Sequence, residues 1–139
     1  MGRKKNRKGS PLSIILLLLL VAFLSSLFYK IVRKGPSEPI RVEVLNACGV
    51  SKLARRTTEV LRDMGFDVVY YGNATTLRNE SVVVERYSKD RKHAKVVARA
   101  LGIKQIIVSI DTTGIAQVSV IIGKDYKRIK KLNRREFVL

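Results

Sequence analysis

Between Leu12 and Val32 the chain is apolar at 17 of 21 positions, with only Ser13, Ser25, Ser26 and Lys30 interrupting. A bilayer core takes about 20 mostly apolar helical residues, and a core helix of a small domain would keep a polar side. The pattern therefore predicts a transmembrane helix over residues 12–32. Lys30 lies close enough to its end to reach the interface, and Phe28 and Tyr29 suit the headgroup boundary.

Residues 33–39 follow as a linker through Gly35-Pro36-Ser37-Glu38-Pro39, and no proline occurs after it. Beyond Pro39 the hydrophobic period switches repeatedly between two and 3.6 residues. Ile40, Val42 and Val44 alternate with Arg41 and Glu43 as in a half-buried strand. Val50, Leu53, Ala54, Thr57, Val60, Leu61 and Met64 recur at helical spacing, and Gly65 stops that helix. Strands are predicted at 66–71, 82–86, 106–110 and 118–122. A second helix, entered near Ser88, buries Ala94, Val97, Ala98 and Leu101 and ends at Gly102. Thr112-Thr113-Gly114 reads as a turn joining the last two strands in a hairpin. The order β-α-β-β-α-β-β predicts an α/β (α+β) sandwich of ferredoxin-like type, a mixed sheet with both helices on one face.

Charge adds an orientation. The chain carries 28 Lys or Arg against 11 Asp or Glu, a net charge of +17. Five of the cations (Arg3, Lys4, Lys5, Arg7, Lys8) precede the apolar stretch with no acid among residues 1–11, and three (Lys30, Arg33, Lys34) lie at its far end. The denser flank stays in the cytoplasm under the positive-inside rule, so residues 40 onward are expected outside it. A cleavable signal peptide is the competing reading. The stretch is long for one, and Ala22–Leu27 holds no small-x-small cleavage site. Cys48 is the single cysteine and His93 the single histidine, which excludes a disulfide scaffold, a CxxC motif and multi-His or multi-Cys metal sites. No cofactor is implied.

One resemblance spans nearly the whole predicted domain. Val42-Glu43-Val44-Leu45-Asn46-Ala47-Cys48-Gly49-Val50-Ser51 resembles the opening of the LytR C-terminal domain, in which a V-x-V-L-N strand runs through a glycine-containing turn into a helix. The likeness continues through Leu53-Ala54, Leu61, Gly65-Phe66-Asp67-Val68 and Gly72-Asn73-Ala74. It resumes at Val82–Tyr87 and Ala94–Leu101, and closes on Val120-Ile121-Ile122-Gly123-Lys124-Asp125-Tyr126, a hydrophobic-Gly-x-Asp-Tyr ending. Two departures stand out: the usual Asn-Gly-Ser/Thr-Gly turn is Asn46-Ala47-Cys48-Gly49 here, and the tail after Tyr126 is longer and more basic. The resemblance implies an extracytoplasmic accessory module of the bacterial envelope, standing alone behind a membrane anchor. The glycopolymer transferases to which some such modules are fused need several hundred further residues, so their activity is not carried over. The expected organisation is a basic cytoplasmic segment 1–11, the span 12–32, the linker 33–39, the domain 40–126 and a basic tail 127–139.

Two groups of residues are candidate binding sites. The Asn46–Ser51 turn opens a helix whose first residues include Lys52, Arg55 and Arg56, and a helix N-terminus beside cations can hold a phosphate or carboxylate. Asn46, Gly49, Ser51, Lys52, Arg55 and Arg56 form this candidate anion or wall-polymer site. The simpler reading, and the preferred one, is that Asn46 and Ser51 cap and order the turn. The tail supplies Lys127, Arg128, Lys130, Lys131, Arg134 and Arg135, either a solvated extension or a contact for anionic lipid or another polyanion. His93, between Lys92 and Ala94, reads as a solvated helix side chain, and Cys48 as a small buried hydrophobe rather than a reactive thiol.

No catalytic constellation emerges. The expectation is a non-enzymatic binding or scaffolding module of the bacterial envelope, linked to cell-wall or glycopolymer assembly. Its partners would be the lipid bilayer and an anionic wall polymer or envelope protein. The alternative is a membrane-tethered, cytoplasm-facing domain that binds nucleic acid through its positive charge. The expected exported topology ranks that alternative second, and the orientation of the span separates the two.

Overall fold

A computed structural model describes residues 2, 9–33 and 37–133. The chain divides into two units, residues 1–38 and 39–139.

Among the described residues, the first unit holds one helix, α1 (Pro11–Arg33). Proline is suited to a first helical position because its missing N–H would have no partner there. Ser10 precedes it and its carbonyl accepts the N–H of Ser13 at 2.9 Å. Among the described residues this is the one helix long and apolar enough to cross a membrane, over Pro11–Val32.

The second unit is a five-stranded mixed sheet with helices. Its elements are β1 (Arg41–Asn46), α2 (Leu53–Asp63), β2 (Asp67–Asn73), β3 (Val82–Glu85), α3 (Lys92–Leu101), β4 (Ile106–Val108), β5 (Val118–Ile122) and a short α4 (Lys130–Asn133) after a 3-10 turn at Tyr126–Arg128. The alternation read in β1 is real: Val42 and Val44 are buried beneath α2, while Glu43 and Leu45 point to the opposite face. Both α2 and α3 sink their apolar stripes into one core. Leu53 and Leu61 meet Val42, Val44 and Val120 there, as do Ala94, Val97 and Leu101 from α3. Among the described residues of this unit, no helix packs on the opposite face.

The strand order is β2-β1-β5-β3-β4, which corrects the ferredoxin-like expectation. In that arrangement a split βαβ unit has a foreign strand between its two strands. Here β1 and β2 are direct parallel neighbours, as are β3 and β4, so each βαβ unit closes on itself. The last strand then enters between the two units, parallel to β1 and antiparallel to β3. Burial explains its position. Val118, Val120 and Ile122 are wholly buried, which only an interior strand provides, whereas the edge strands β2 and β4 leave Val69, Tyr70, Ile107 and Val108 exposed. The expected β4–β5 hairpin is consequently absent: β3 lies between them, and residues 109–117 form a crossing loop.

The start of the tail packs on the domain. A domain boundary at Tyr126 would leave out Ile129, 3 % exposed, and Leu132, 1 % exposed, both members of the core cluster. Their i, i+3 spacing is a seam that packs α4 against α2. Residues 134–139 lie outside the described residues.

Candidate functional site

Asn46 shapes the turn between β1 and α2. Its Oδ1 accepts the Cys48 N–H at 3.1 Å and the Cys48 thiol at 3.2 Å, and its Nδ2 donates to the Val50 carbonyl at 2.7 Å. Side-chain bonds to the local backbone are what Asn contributes to tight turns. Gly49 adopts φ +77°, a left-handed conformation in which a side chain is strained. Ser51 is exposed and does not cap the helix; the residue flanking α2 is Lys52, itself left-handed at φ 62° and without a side-chain cap. Arg55 turns along the helix to Glu59, 3.4 Å away and exposed to water. Of the six residues proposed for anion binding, Asn46 thus serves the turn and Arg55 faces a carboxylate, while Gly49, Ser51 and Lys52 are open to solvent and Arg56 is half-buried. Cys48 packs against the core, half-buried.

The described tail residues Lys127, Arg128, Lys130 and Lys131 are all exposed, on the outer side of the segment that Ile129 and Leu132 anchor. Arg134 and Arg135 lie outside the described residues. A further run of cations, not singled out from the sequence, lies on α3: Lys92, Lys95 and Arg99 are exposed, and the helix contains no acid.

His93 is not the solvated side chain the sequence suggested. Its side chain is 14 % exposed, and Nδ1 lies 2.9 Å from Oε1 of Glu85, whose side chain is wholly buried. The same carboxylate accepts the N–H of Ala94 at 2.8 Å and that of Ser88 at 3.2 Å, and the His93 ring packs edge-on against Tyr87. Burial alone would raise the Glu85 carboxyl, yet the bonds from Ala94, His93 and Ser88 together hold it below its ordinary value. The residue flanking α3, Arg91, offers no side-chain cap. Glu85 supplies one from β3, a long-range partner that local sequence does not display.

The closing Gly-x-Asp-Tyr run is a clamp. A Cβ on Gly123 would stand 2.5 Å from the carbonyl carbon of Glu80, so only glycine lets the two backbones approach. Asp125 Oδ1 then accepts the Ser81 N–H at 2.8 Å and the Ser81 hydroxyl at 2.6 Å, and the Ser81 hydroxyl accepts the Gly123 N–H at 3.0 Å. These bonds tie the end of β5 to the segment entering β3.

The family model described as LytR cell envelope-related transcriptional attenuator matches residues 39–126, more than half of the chain. The chain belongs to this family. Its LytR C-terminal domain therefore contains β1 through β5, the Asn46 turn, the Glu85–His93 pair and the Gly123–Asp125 clamp. The solution structure of the C-terminal domain of RV0431 is 25% identical, covers 64% of this chain and 76% of its own, and superposes with a TM-score of 0.42. No curated protein matches the chain. The LytR C-terminal domain is a cell-envelope-related module, and the apolar α1 that precedes it is compatible with a membrane anchor.

Proposed function

We propose that this chain is a single-pass protein of the bacterial cytoplasmic membrane that holds a non-catalytic binding or scaffolding domain on the outer side, serving wall or glycopolymer assembly. The observation that carries the reading is the pairing of a cell-envelope-related domain at 39–126 with an apolar helix at its N-terminal side. The five cations ahead of α1 favour a cytoplasmic N-terminus. The one His–carboxylate pair among the described residues already caps a helix and packs on Tyr87, which supports a structural role for it rather than an acid–base one.

The surface suggests the partner. Residues 36–139 hold 20 basic and 11 acidic side chains, and α3 and α4 expose Lys92, Lys95, Arg99, Lys130 and Lys131. An anionic wall polymer is attracted by such a surface, and the attraction is screened by salt. Sedimentation of the detergent-solubilised chain with purified sacculi tests this. Retention at low salt that falls in Lys92→Glu/Lys95→Glu/Arg99→Glu protein is the expected result. Equal retention of wild type and variant would remove the polyanion reading.

A further inference from the structure

We propose that the helix-free face of the sheet carries a binding groove for the amino end of a short peptide, with the ammonium group held by carboxylates and the adjoining apolar side chain held by the groove walls.

Strand pairing places Glu43 of β1 opposite Ser119 of β5 and Tyr70 of β2, so these side chains share the face that α2 and α3 leave open. The crossing loop 109–117 rises over that face and turns it into a groove with a volume of about 480 Å³, within the range of small-ligand sites. Its walls are apolar, with Leu45 and Tyr70 on one side and Ile115 on the loop. Ile115 is 70 % exposed and Tyr70 55 % exposed. The loop thus presents a large aliphatic side chain to solvent at the rim of an aromatic-walled cleft.

The floor is polar and ordered. Ser119 interrupts an otherwise apolar strand and is wholly buried. Its hydroxyl donates to Oε2 of Glu43 at 2.7 Å and accepts from Nε of Arg86 at 3.0 Å; Arg86 Nη1 reaches the Ser109 hydroxyl at 3.3 Å. Glu43 is therefore fixed in place before any ligand arrives. The second acid of the groove, Asp111, accepts the Thr113 hydroxyl and N–H, which hold its carboxyl below the usual range and keep it ionised.

The charges decide the ligand. Two carboxylates, Glu43 and Asp111, face one guanidinium, Arg86, so the groove is acidic within a stretch of chain whose net charge is positive. A phosphate or sugar acid finds one cation already bonded to two serines. A bare metal ion would make no use of Tyr70 and Ile115. An ammonium beside an aliphatic body uses both the acids and the walls.

The test uses the full chain in detergent micelles, with the tripeptide amide Leu-Ala-Ala-NH2 and its N-acetylated form as probes. Saturable shifts of the Leu45, Ile115 and Ser119 resonances are expected with the free amine, and acetylation should weaken binding about tenfold or more, the scale of a lost charge-assisted hydrogen bond. Glu43→Gln should weaken the free amine similarly and leave the resonances of Leu61 and Val97, in the opposite core, unmoved. Equal binding of both probes, or no saturable shift with either, would overturn the proposal.

Discussion

Glu85 on β3, its side chain wholly buried, and His93 on α3 meet at 2.9 Å, and the same carboxylate receives the N–H of Ala94. A strand residue thus starts the helix that follows it. Glu85→Gln keeps the shape but removes the charge from bonds that favour an ionised acceptor, and should cost about 1–3 kcal/mol. Thermal melts of the full chain in micelles check it.

The same pair sets an acid limb. Because the folded-state carboxyl is held below 4.5, its contribution to stability is present above that value and is lost as pH falls through the folded-state value. The wild type should therefore lose its advantage over Glu85→Gln as pH drops below 4.5. A constant difference between the two proteins across that window would show that the charge of Glu85 contributes nothing.

Leu132 and Ile129 make the described part of the basic tail, residues 127–133, part of the domain. Leu132→Ala should destabilise it by about 2–5 kcal/mol, whereas Lys130→Gln, at an exposed site of the same segment, should stay within about 0.5 kcal/mol. Ending the chain at Tyr126 should be worse than either single change. Denaturant midpoints of the three proteins decide whether the segment packs or merely trails.

Gly123 and Asp125 should act as one clamp. Gly123→Ala forces a Cβ against the Glu80 backbone and should cost about 1–3 kcal/mol. Asp125→Ala strips the acceptor from the Ser81 N–H and hydroxyl, with a loss of about 1–3 kcal/mol. Since both changes open the same junction, the double variant should lose less than their sum in a double-mutant cycle.

The elements legible in the sequence are those whose cause is local. The Val42/Val44 alternation, the α2 stripe from Leu53 to Leu61, and the glycines at 65 and 102 that end the helices are all read from neighbours a few residues away. Strand order is not local. Val118–Ile122 announces a buried strand, but nothing in it says that the site awaiting it lies between β1 and β3. The same holds for the sites. The Asn46 turn is visible because Asn46 bonds residues 48 and 50. His93 depends on a residue eight positions away, and Ser119 on Glu43, 76 positions away. The one available signal for the groove was Ser119 itself, a hydroxyl inside an apolar run whose burial demands a partner.

The side of the membrane on which the domain lies tests the envelope reading most directly. Five cations before α1 and none of the chain's acids before Glu38 favour an N-terminus on the cytoplasmic side. Alkaline phosphatase fused after Leu139 should be active, since it matures only outside the cytoplasm, and a fluorescent protein that folds only inside should stay dark at the same position. A dark phosphatase and a bright fluorescent protein would contradict the account, and would place the positive surface before nucleic acid instead.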